Sequence, residues 1–356
     1  MWELSLGSNP YLNDASVVNT NAWAQGLTNS NLYQRMVLLT IPNAWAVYTN
    51  TTQVAVVADI RSYNRYLTVK AAEFFLDTTN GITFGSGTPM SAMDGAFDST
   101  NEMAQAIITP SFPASERHVF YIHAKGSNNR WCPFVTAIIN PNVDDILNKV
   151  QANYSAIHDL QYKVIFTETK DGIVTHSDIV TIKMLGPYKS RNEYSTGLCV
   201  IQNENSTWWS LPALGTSKMQ TGYDDNFDSN ANRNADVFWD IPLWRSRMTS
   251  SIVGQPTPGT YDVSLAPAAG SIWPQQTMRV DFLHGFATQL GYGDTNVSAT
   301  SNYSNPLEVA PGVWIFTSHR HTLQFNGGFQ LVTESILTEI MVNQGLNDSL
   351  FSIPAE

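Results

Sequence analysis

The chain has 356 residues, a formal net charge of −11 at pH 7 and charged side chains at only 14% of positions, whereas globular proteins average about 25%. The acidic balance and the scattered Lys and Arg exclude a basic nucleic-acid-binding surface, and a hydrophobic share of 43% excludes a disordered chain. Asn, Ser and Thr supply about a quarter of the residues. Because they favour strands and turns over helix surfaces, the composition predicts an all-β protein with long loops.

Signals for targeting and covalent modification are weak. Met1 to Pro10 lacks an apolar h-region, and the apolar stretch Met36 to Ile60 is interrupted by polar residues, so neither a signal peptide nor a membrane span is predicted. Cys132 and Cys199 lie in apolar runs and are expected to be buried free thiols. The N-x-S/T sequons are about as frequent as the composition produces by chance. They lie at Asn50, Asn153, Asn205, Asn296, Asn302 and Asn347.

The N-terminal part is predicted to consist mainly of strands. A short helix is predicted near Thr68 to Leu76, and a long polar loop is predicted from Phe84 to Ser99. Runs of β-branched and aromatic residues predict the strands, which are Arg35 to Thr40, Gln53 to Ile60, His118 to His123 and Phe134 to Ile139.

A clear helix and a hairpin follow. From Asn142 to Leu160, apolar residues recur at helical spacing after two acidic residues that favour a helix N-terminus. Gln161 to Glu168 and Ile173 to Met184 then flank Asp171-Gly172. Because Asp-Gly supplies the positive φ of a tight turn, these runs predict a β-hairpin.

The remaining sequence alternates strands with long loops. The predicted strands are Gly197 to Gln202, Val237 to Trp244, Thr260 to Leu265, Thr277 to His284 and Val313 to Phe325, and the loops are Asn203 to Asp236 and Gly291 to Pro306. Leu331 to Asn343 fits a strand and a helix equally well. Since both faces of Val313 to Phe325 carry apolar residues, it is expected to be a central strand.

The length exceeds that of most single cores and predicts two units. We place the boundary near Tyr188 to Tyr194, where polar residues and Pro187 interrupt the strands. The expected fold is one or two antiparallel jelly-roll sandwiches with long loops and one or two inserted helices. Residues 1–190 would form the first sandwich, with helix 142–160, and residues 191–356 a second sandwich or a projecting β domain.

Two histidines are candidate metal ligands. His319 and His321 are two residues apart on a predicted strand, so their side chains point the same way, and His284 or a carboxylate could complete a site. Neighbouring Thr and Arg side chains offer these histidines ordinary hydrogen bonds, and that structural role is the preferred interpretation.

The loop from Asp224 to Asn230 places oxygen-bearing side chains at alternate positions, as a calcium loop requires. It departs from the EF-hand pattern at Ser229, where Gly is required, and at Ala235, where Glu is required. A solvated Asn-rich loop is the preferred interpretation. No metal or cofactor is therefore predicted.

No motif selects a catalytic group. Ser86, between two glycines, lacks the G-x-S-x-G pattern of a nucleophile elbow. Carboxylates for glycoside hydrolysis would have to be drawn, without any local pattern, from Glu73, Glu102, Glu168, Glu334 and Glu339. A sugar-stacking platform or, as we prefer, core and interface packing could use Trp208, Trp209, Trp239 and Trp244. The chain is not expected to be an enzyme.

The overall pattern resembles viral jelly-roll capsid proteins, without a family-specific motif. The resemblance lies in short strands such as Val237 to Trp244 and Thr277 to His284, the helix inserted at Asn142 to Leu160, and Pro-rich connections such as Gln255 to Gly259. It implies a structural virion protein, a capsid shell or surface protein located in the virion. Its partners would be copies of itself or sister capsid subunits and a host receptor or glycan, without sequence-specific nucleic-acid binding.

Two other functions are compatible with the sequence. The first is a glycan-binding or receptor-binding β-sandwich, either a lectin or a fibre protein, whose Trp residues and Asn-rich loops would contact sugars. The second is a carbohydrate-active hydrolase.

Overall fold

The computed structural model describes residues 39–186, 189–203, 206–211, 216–221, 245–246, 248–269, 275–293 and 297–353. The chain divides into two compact units, Met1–Pro141 and Asn142–Glu356. The division falls well before the predicted boundary near Tyr188 to Tyr194, because residues 189–194 form a strand inside the sheet of the second unit. None of the helices in the described part of the chain is long and apolar enough to cross a membrane.

The first unit is a seven-stranded antiparallel sheet in the order β1-β2-β5-β4-β3-β6-β7. Its edge strands β1 and β7 approach each other, so the sheet nearly closes into a barrel around one apolar core. Its strands are β1 (Thr40–Asn50), β2 (Gln53–Arg61), β3 (Val69–Leu76), β4 (Thr88–Ala92), β5 (Asn101–Ile108), β6 (His118–Gly126) and β7 (Val135–Ile139).

The predicted short helix at Thr68 to Leu76 is wrong, because this segment forms strand β3. Val69, Ala72 and Phe74 are buried in the barrel core, and Glu73 points to the opposite face. Pairing with β6 on one side and β4 on the other overrides the helical tendency of the Ala-Ala-Glu run. Likewise, the predicted loop Phe84 to Ser99 contains strand β4.

The second unit begins with helix α1 (Val143–Ser155), as predicted. Asn142 caps it: the Asp145 amide donates to Asn142 Oδ1 at 2.8 Å, and the Asn142 amide donates to Asp145 Oδ2 at 2.9 Å. The helix ends before the predicted Leu160 because the chain turns there into the next strand, which starts at Asp159.

A thirteen-stranded antiparallel sheet makes up most of the second unit as described. Its order is β13-β12-β11-β10-β9-β8-β20-β19-β18-β17-β16-β15-β14, so the last strand returns to lie beside the first. Its strands are β8 (Asp159–Lys170), β9 (Ile173–Leu185), β10 (Lys189–Tyr194), β11 (Cys199–Asn203), β12 (Ser206–Leu211), β13 (Thr216–Thr221), β14 (Met248–Thr257), β15 (Thr260–Pro267), β16 (Gln276–Asp281), β17 (Phe286–Gly293), β18 (Val297–Ala310), β19 (Val313–Phe325) and β20 (Gln330–Val342). A short 3-10 helix, Asp348–Phe351, follows.

The antiparallel all-β class is confirmed, whereas the jelly-roll arrangement is not, since almost all neighbours in the large sheet are also consecutive in the chain. The predicted hairpin is confirmed as β8 and β9, with Asp171 and Gly172 at φ values of 50° and 80°. β19 lies in the interior of the sheet as predicted. The predicted loops Asn203 to Asp236 and Gly291 to Pro306 contain strands, and the segment Leu331 to Asn343 is resolved as strand β20. The predicted strand Val237 to Trp244 lies outside the described residues.

Two apolar clusters lie on one face of the large sheet, which we call the inner face. Helix α1 packs there through Ile146, Leu147, Val150 and Tyr154 against strands β14 to β17. The second cluster is built on β8, β9 and β18 to β20 and includes Val164, Val180 and Leu337. Helix α1 is also tied to β19, because Asn153 exchanges two hydrogen bonds with the Trp314 backbone.

Candidate functional site

His319 and His321 lie side by side on the inner face of β19, as their two-residue spacing predicts. Their ring centroids are 6.1 Å apart. The strand register extends each histidine into a row of side chains across the neighbouring strands. The first row runs Tyr303, His319, Ser335, Phe166 and Asp178, and the second runs Ser301, His321, Thr333, Glu168 and His176.

His319 occupies an apolar environment at the edge of the second cluster. Its ring stacks on Tyr303 with centroids 4.8 Å apart, and Phe316 is 6.1 Å away. Burial lowers the pKa of His319 to about 4, because removal from water disfavours the charged imidazolium. His319 is therefore neutral at pH 7 and adds no positive charge to the inner face.

The second row is more polar and more accessible. His321 Nδ1 lies 2.9 Å from the Ser301 hydroxyl oxygen. Glu168 is partly exposed, and its Oε1 accepts a hydrogen bond of 3.1 Å from the Thr175 hydroxyl. His176 is exposed and lies directly opposite Glu168.

Asp178 supplies a second carboxylate beside this row. Burial alone would raise the pKa of Asp178, but the Ser195 hydroxyl and the Ile179 amide both donate hydrogen bonds to the carboxylate. These bonds outweigh burial and leave the pKa of Asp178 below its ordinary value. Glu168 and Asp178 thus stand diagonally across the Phe166 ring on the paired strands β8 and β9.

Apolar side chains surround these rows without being fully covered. Phe166, Leu323, Leu331 and Leu290 are all partly exposed, and Tyr292 keeps 42% of its surface accessible. Beyond Leu323, the rings of Phe325 and Phe329 stack at 4.1 Å. We call the inner face from Leu337 to Leu331 on β20, with its neighbours on β8, β9, β18 and β19, the inner strip.

The three candidate metal-ligating histidines do not come together. His284 does not join His319 and His321: it lies in the turn after β16, where its Nδ1 is 2.6 Å from Asp281 Oδ2 and its ring contacts Trp314. Within the described ranges, no three His, Cys, Asp or Glu side chains come together as a metal-binding group. The candidate calcium loop, Asp224 to Asn230, lies outside the described residues.

The other candidate residues are dispersed. Glu334 and Glu339 form exposed ion pairs with Arg320 and Lys163, and Glu102 accepts the backbone amides of Asp98 and Ser99. Trp208 and Trp209 are consecutive residues of β12, and each pairs with a different residue of β11. Trp239 and Trp244 lie outside the described residues. The Ser86 hydroxyl donates to the Thr83 carbonyl.

Glu73 belongs to a buried polar pair in the first unit that the sequence did not reveal. His123, directly opposite on β6, is fully buried, and its Nε2 lies 2.7 Å from Glu73 Oε1. The imidazole is stacked between Trp131 and Phe134, with centroids 4.2 and 4.3 Å away. Burial lowers the pKa of His123, and the Glu73 carboxylate only partly offsets this effect.

The two cysteines differ in burial. Cys132 is buried as predicted, and burial raises the pKa of its thiol to about 11. Cys199 is only partly buried. Both cysteines are free.

The sequons differ in accessibility. Asn153 is buried and its amide donates to the Trp314 carbonyl, so this sequon is inaccessible in the folded protein. Asn50 and Asn347 are exposed and Asn302 is partly exposed, while Asn205 and Asn296 lie outside the described residues.

Comparisons with known proteins find similarity only at the level of structure. No family model matches the chain, and no curated protein matches it. A DUF1329 family protein from Desulfovibrio piger is 13% identical, with a TM-score of 0.45, over 59% of this chain and 97% of that chain. A putative outer membrane lipoprotein-sorting protein domain from Vibrio parahaemolyticus is 12% identical, with a TM-score of 0.42, over 58% and 95%. The LolA superfamily protein NE2245 from Nitrosomonas europaea is 12% identical, with a TM-score of 0.41, over 60% and 98%.

These findings correct the functional interpretation of the sequence. The resemblance to viral jelly-roll capsid proteins is wrong: none of these similar structures is a viral capsid protein. The structural virion role, the virion location and the glycan-binding alternative are wrong as well. The physical reason is that a composition rich in Asn, Ser and Thr indicates strands and loops, and it does not specify how the strands are arranged or used.

Proposed function

We propose that the second unit is a binding protein for a molecule with a long apolar chain, and that the inner strip is the binding site. The proposal is supported by one observation: past the packed clusters, the inner face carries partly exposed aromatic and aliphatic side chains beside the polar side chains of the two rows. An apolar surface that opens from a core and includes polar groups is typical of a site for apolar ligands.

The dimensions of the strip suit such a ligand. Four strand spacings separate Leu290 on β17 from Phe166 on β8, which corresponds to about 19 Å across the sheet. An alkyl chain of about twelve carbons fits within this length. Each buried methylene contributes about 0.8 kcal/mol, so partial burial of such a chain supports micromolar affinity after the cost of association.

Binding alone accounts for this arrangement, and the proposed role includes no chemical step. His319 contributes a neutral ring stacked on Tyr303, which extends the apolar surface. The polar second row, with His321 and Glu168, would contact the polar end of the ligand. Self-association, the other partner expected from the sequence, stays a prediction.

The test is saturable binding of Nile red, an uncharged apolar dye, to the purified chain. Leu331→Asp places a charge in the inner strip and is expected to lower the affinity at least tenfold. Ile336→Asp is the matched control, because Ile336 lies on the same strand, points to the opposite face and is 55% exposed. Affinity should change less than twofold in this control. Absence of saturable binding, or an equal loss in both variants, would overturn the proposal.

A further inference from the structure

We infer that the inner strip selects ligands by head group and prefers an ammonium-bearing amphiphile to a carboxylate of the same chain length. This inference rests on the proposed function, since it concerns the polar part of the same site.

Phe166, Glu168, His176 and Asp178 form a four-cornered group on the inner face. Phe166 is directly opposite Asp178, and Glu168 is directly opposite His176. Diagonal positions of an antiparallel pair are about 7 to 8 Å apart, so Glu168 and Asp178, which occupy one diagonal, are both neighbours of Phe166 on this face. His176 also lies against that ring, with centroids 5.4 Å apart.

This geometry matches the chemistry of an ammonium group. An ammonium has three donors and needs acceptors, and it is attracted both to carboxylates and to the face of an aromatic ring. Glu168 Oε1 receives a hydrogen bond from the Thr175 hydroxyl, and a carboxylate has further acceptor sites. The position between Glu168 and Asp178, over Phe166, therefore supplies both kinds of partner.

The surrounding charges also favour an ammonium over a carboxylate head group. His319, on the first row, is neutral at pH 7 because burial lowers its pKa to about 4. Lys170, two residues beyond Glu168, places its ammonium 5.0 Å from the centre of the Phe329 ring. In this part of the strip, the carboxylates of Glu168 and Asp178 outnumber the single ammonium group of Lys170. The whole chain carries a net charge of −11. A carboxylate ligand would meet like charges where an ammonium meets opposite ones.

The experiment compares dodecylamine, dodecanol and dodecanoate by titration calorimetry at pH 7.5. The amine and the carboxylate are kept below their critical micelle concentrations, and dodecanol is kept below its solubility limit. Dodecylamine is expected to bind at least tenfold more tightly than dodecanoate, with dodecanol between them. In Glu168→Gln, the ratio of amine to carboxylate affinity should fall below threefold. Far-UV circular dichroism and an unchanged thermal midpoint show that the variant is folded.

Glu334→Gln is the control for general attraction of cations to an acidic protein. Glu334 is on β20, points to the outer face and pairs with Arg320, so the selectivity should stay as in the wild type. If no compound binds, the proposed function itself fails. If dodecanol binds but dodecanoate binds as tightly as dodecylamine, or if Glu168→Gln keeps the full preference, the proposed function stands and this inference is overturned.

Discussion

Glu73 and His123 face each other across strands β3 and β6, and the Glu73 carboxylate accepts three hydrogen bonds in a site closed to water. The His123 Nε2 lies 2.7 Å from Oε1, and the amides of Gly85 and Gly87 donate to Oε1 and Oε2 at 2.7 and 2.9 Å. This carboxylate therefore joins two strands and the glycine loop that follows β3. His123 Nδ1 has no hydrogen-bond partner among the described residues, so Glu73 is the anchor of its ring.

Removing that carboxylate should destabilise the first unit strongly. Glu73→Ala leaves the imidazole and two loop amides without an acceptor, and breaking a buried pair in this way costs about 3 to 5 kcal/mol. Urea denaturation, followed by intrinsic tryptophan fluorescence, measures the loss. Glu334→Ala is the control, because its ion pair with Arg320 is 56% exposed on both sides and contributes about 1 kcal/mol or less. Similar losses in both variants would contradict this account.

The buried imidazole of His319 should make stability depend on pH. Its pKa of about 4 in the folded protein is below the ordinary value of about 6.5, so the unfolded chain takes up a proton at a higher pH than the native chain. The free energy of unfolding therefore falls as the pH decreases from about 6.5 to about 4, by about 3 kcal/mol. His319→Phe, which keeps an aromatic ring beside Tyr303, should remove this part of the pH dependence.

The measurement is the difference in unfolding free energy between wild type and variant at pH 4 and at pH 7. His158→Gln is the control, since it removes an exposed histidine. A proton NMR titration that places the His319 midpoint near 6.5 would rule out the apolar environment on which the prediction depends.

Gly172 should be required for its backbone conformation alone. Its φ is +80°, and a Cβ added there would meet no atom within 4 Å. Gly172→Ala should therefore cost about 1 to 2 kcal/mol without steric conflict. Gly327→Ala, which also meets no atom within 4 Å but has no positive φ, should change stability by less than 0.5 kcal/mol. Thermal unfolding compares the two, and an equal effect would show that φ is not the cause.

Asn153 should be essential for the attachment of helix α1 to the sheet. Its amide nitrogen donates to the Trp314 carbonyl at 2.8 Å, and its oxygen accepts from the Trp314 amide at 2.7 Å. Asn153→Leu leaves both backbone groups unpaired, at an expected cost of about 2 to 4 kcal/mol. Asn148→Ala, an exposed position of the same helix, should have little effect. Hydrogen exchange of the helix amides would detect the detachment directly, and unchanged protection in Asn153→Leu would refute it.

Features that depend on neighbouring residues could be predicted from the sequence. Asp171-Gly172 between two β-branched runs predicts the hairpin because only its own backbone must take a positive φ. Asn142 and Asp145 cap helix α1 from positions three residues apart. His319 and His321 point the same way because alternation along a strand is a local property.

The candidate site required the tertiary structure. Glu168 and His321 share a row because β20 returns to pair with both β8 and β19, and nothing within a few residues of either side chain encodes that register. The segment from Val69 to Leu76 is a strand because β6 and β4 pair with it. The amino-acid sequence by itself determined the β class, the tight turn and the start of the helix, since these follow from local backbone preferences. Only the fold decided which faces meet and which stay open, because pairing and burial join residues far apart in the chain.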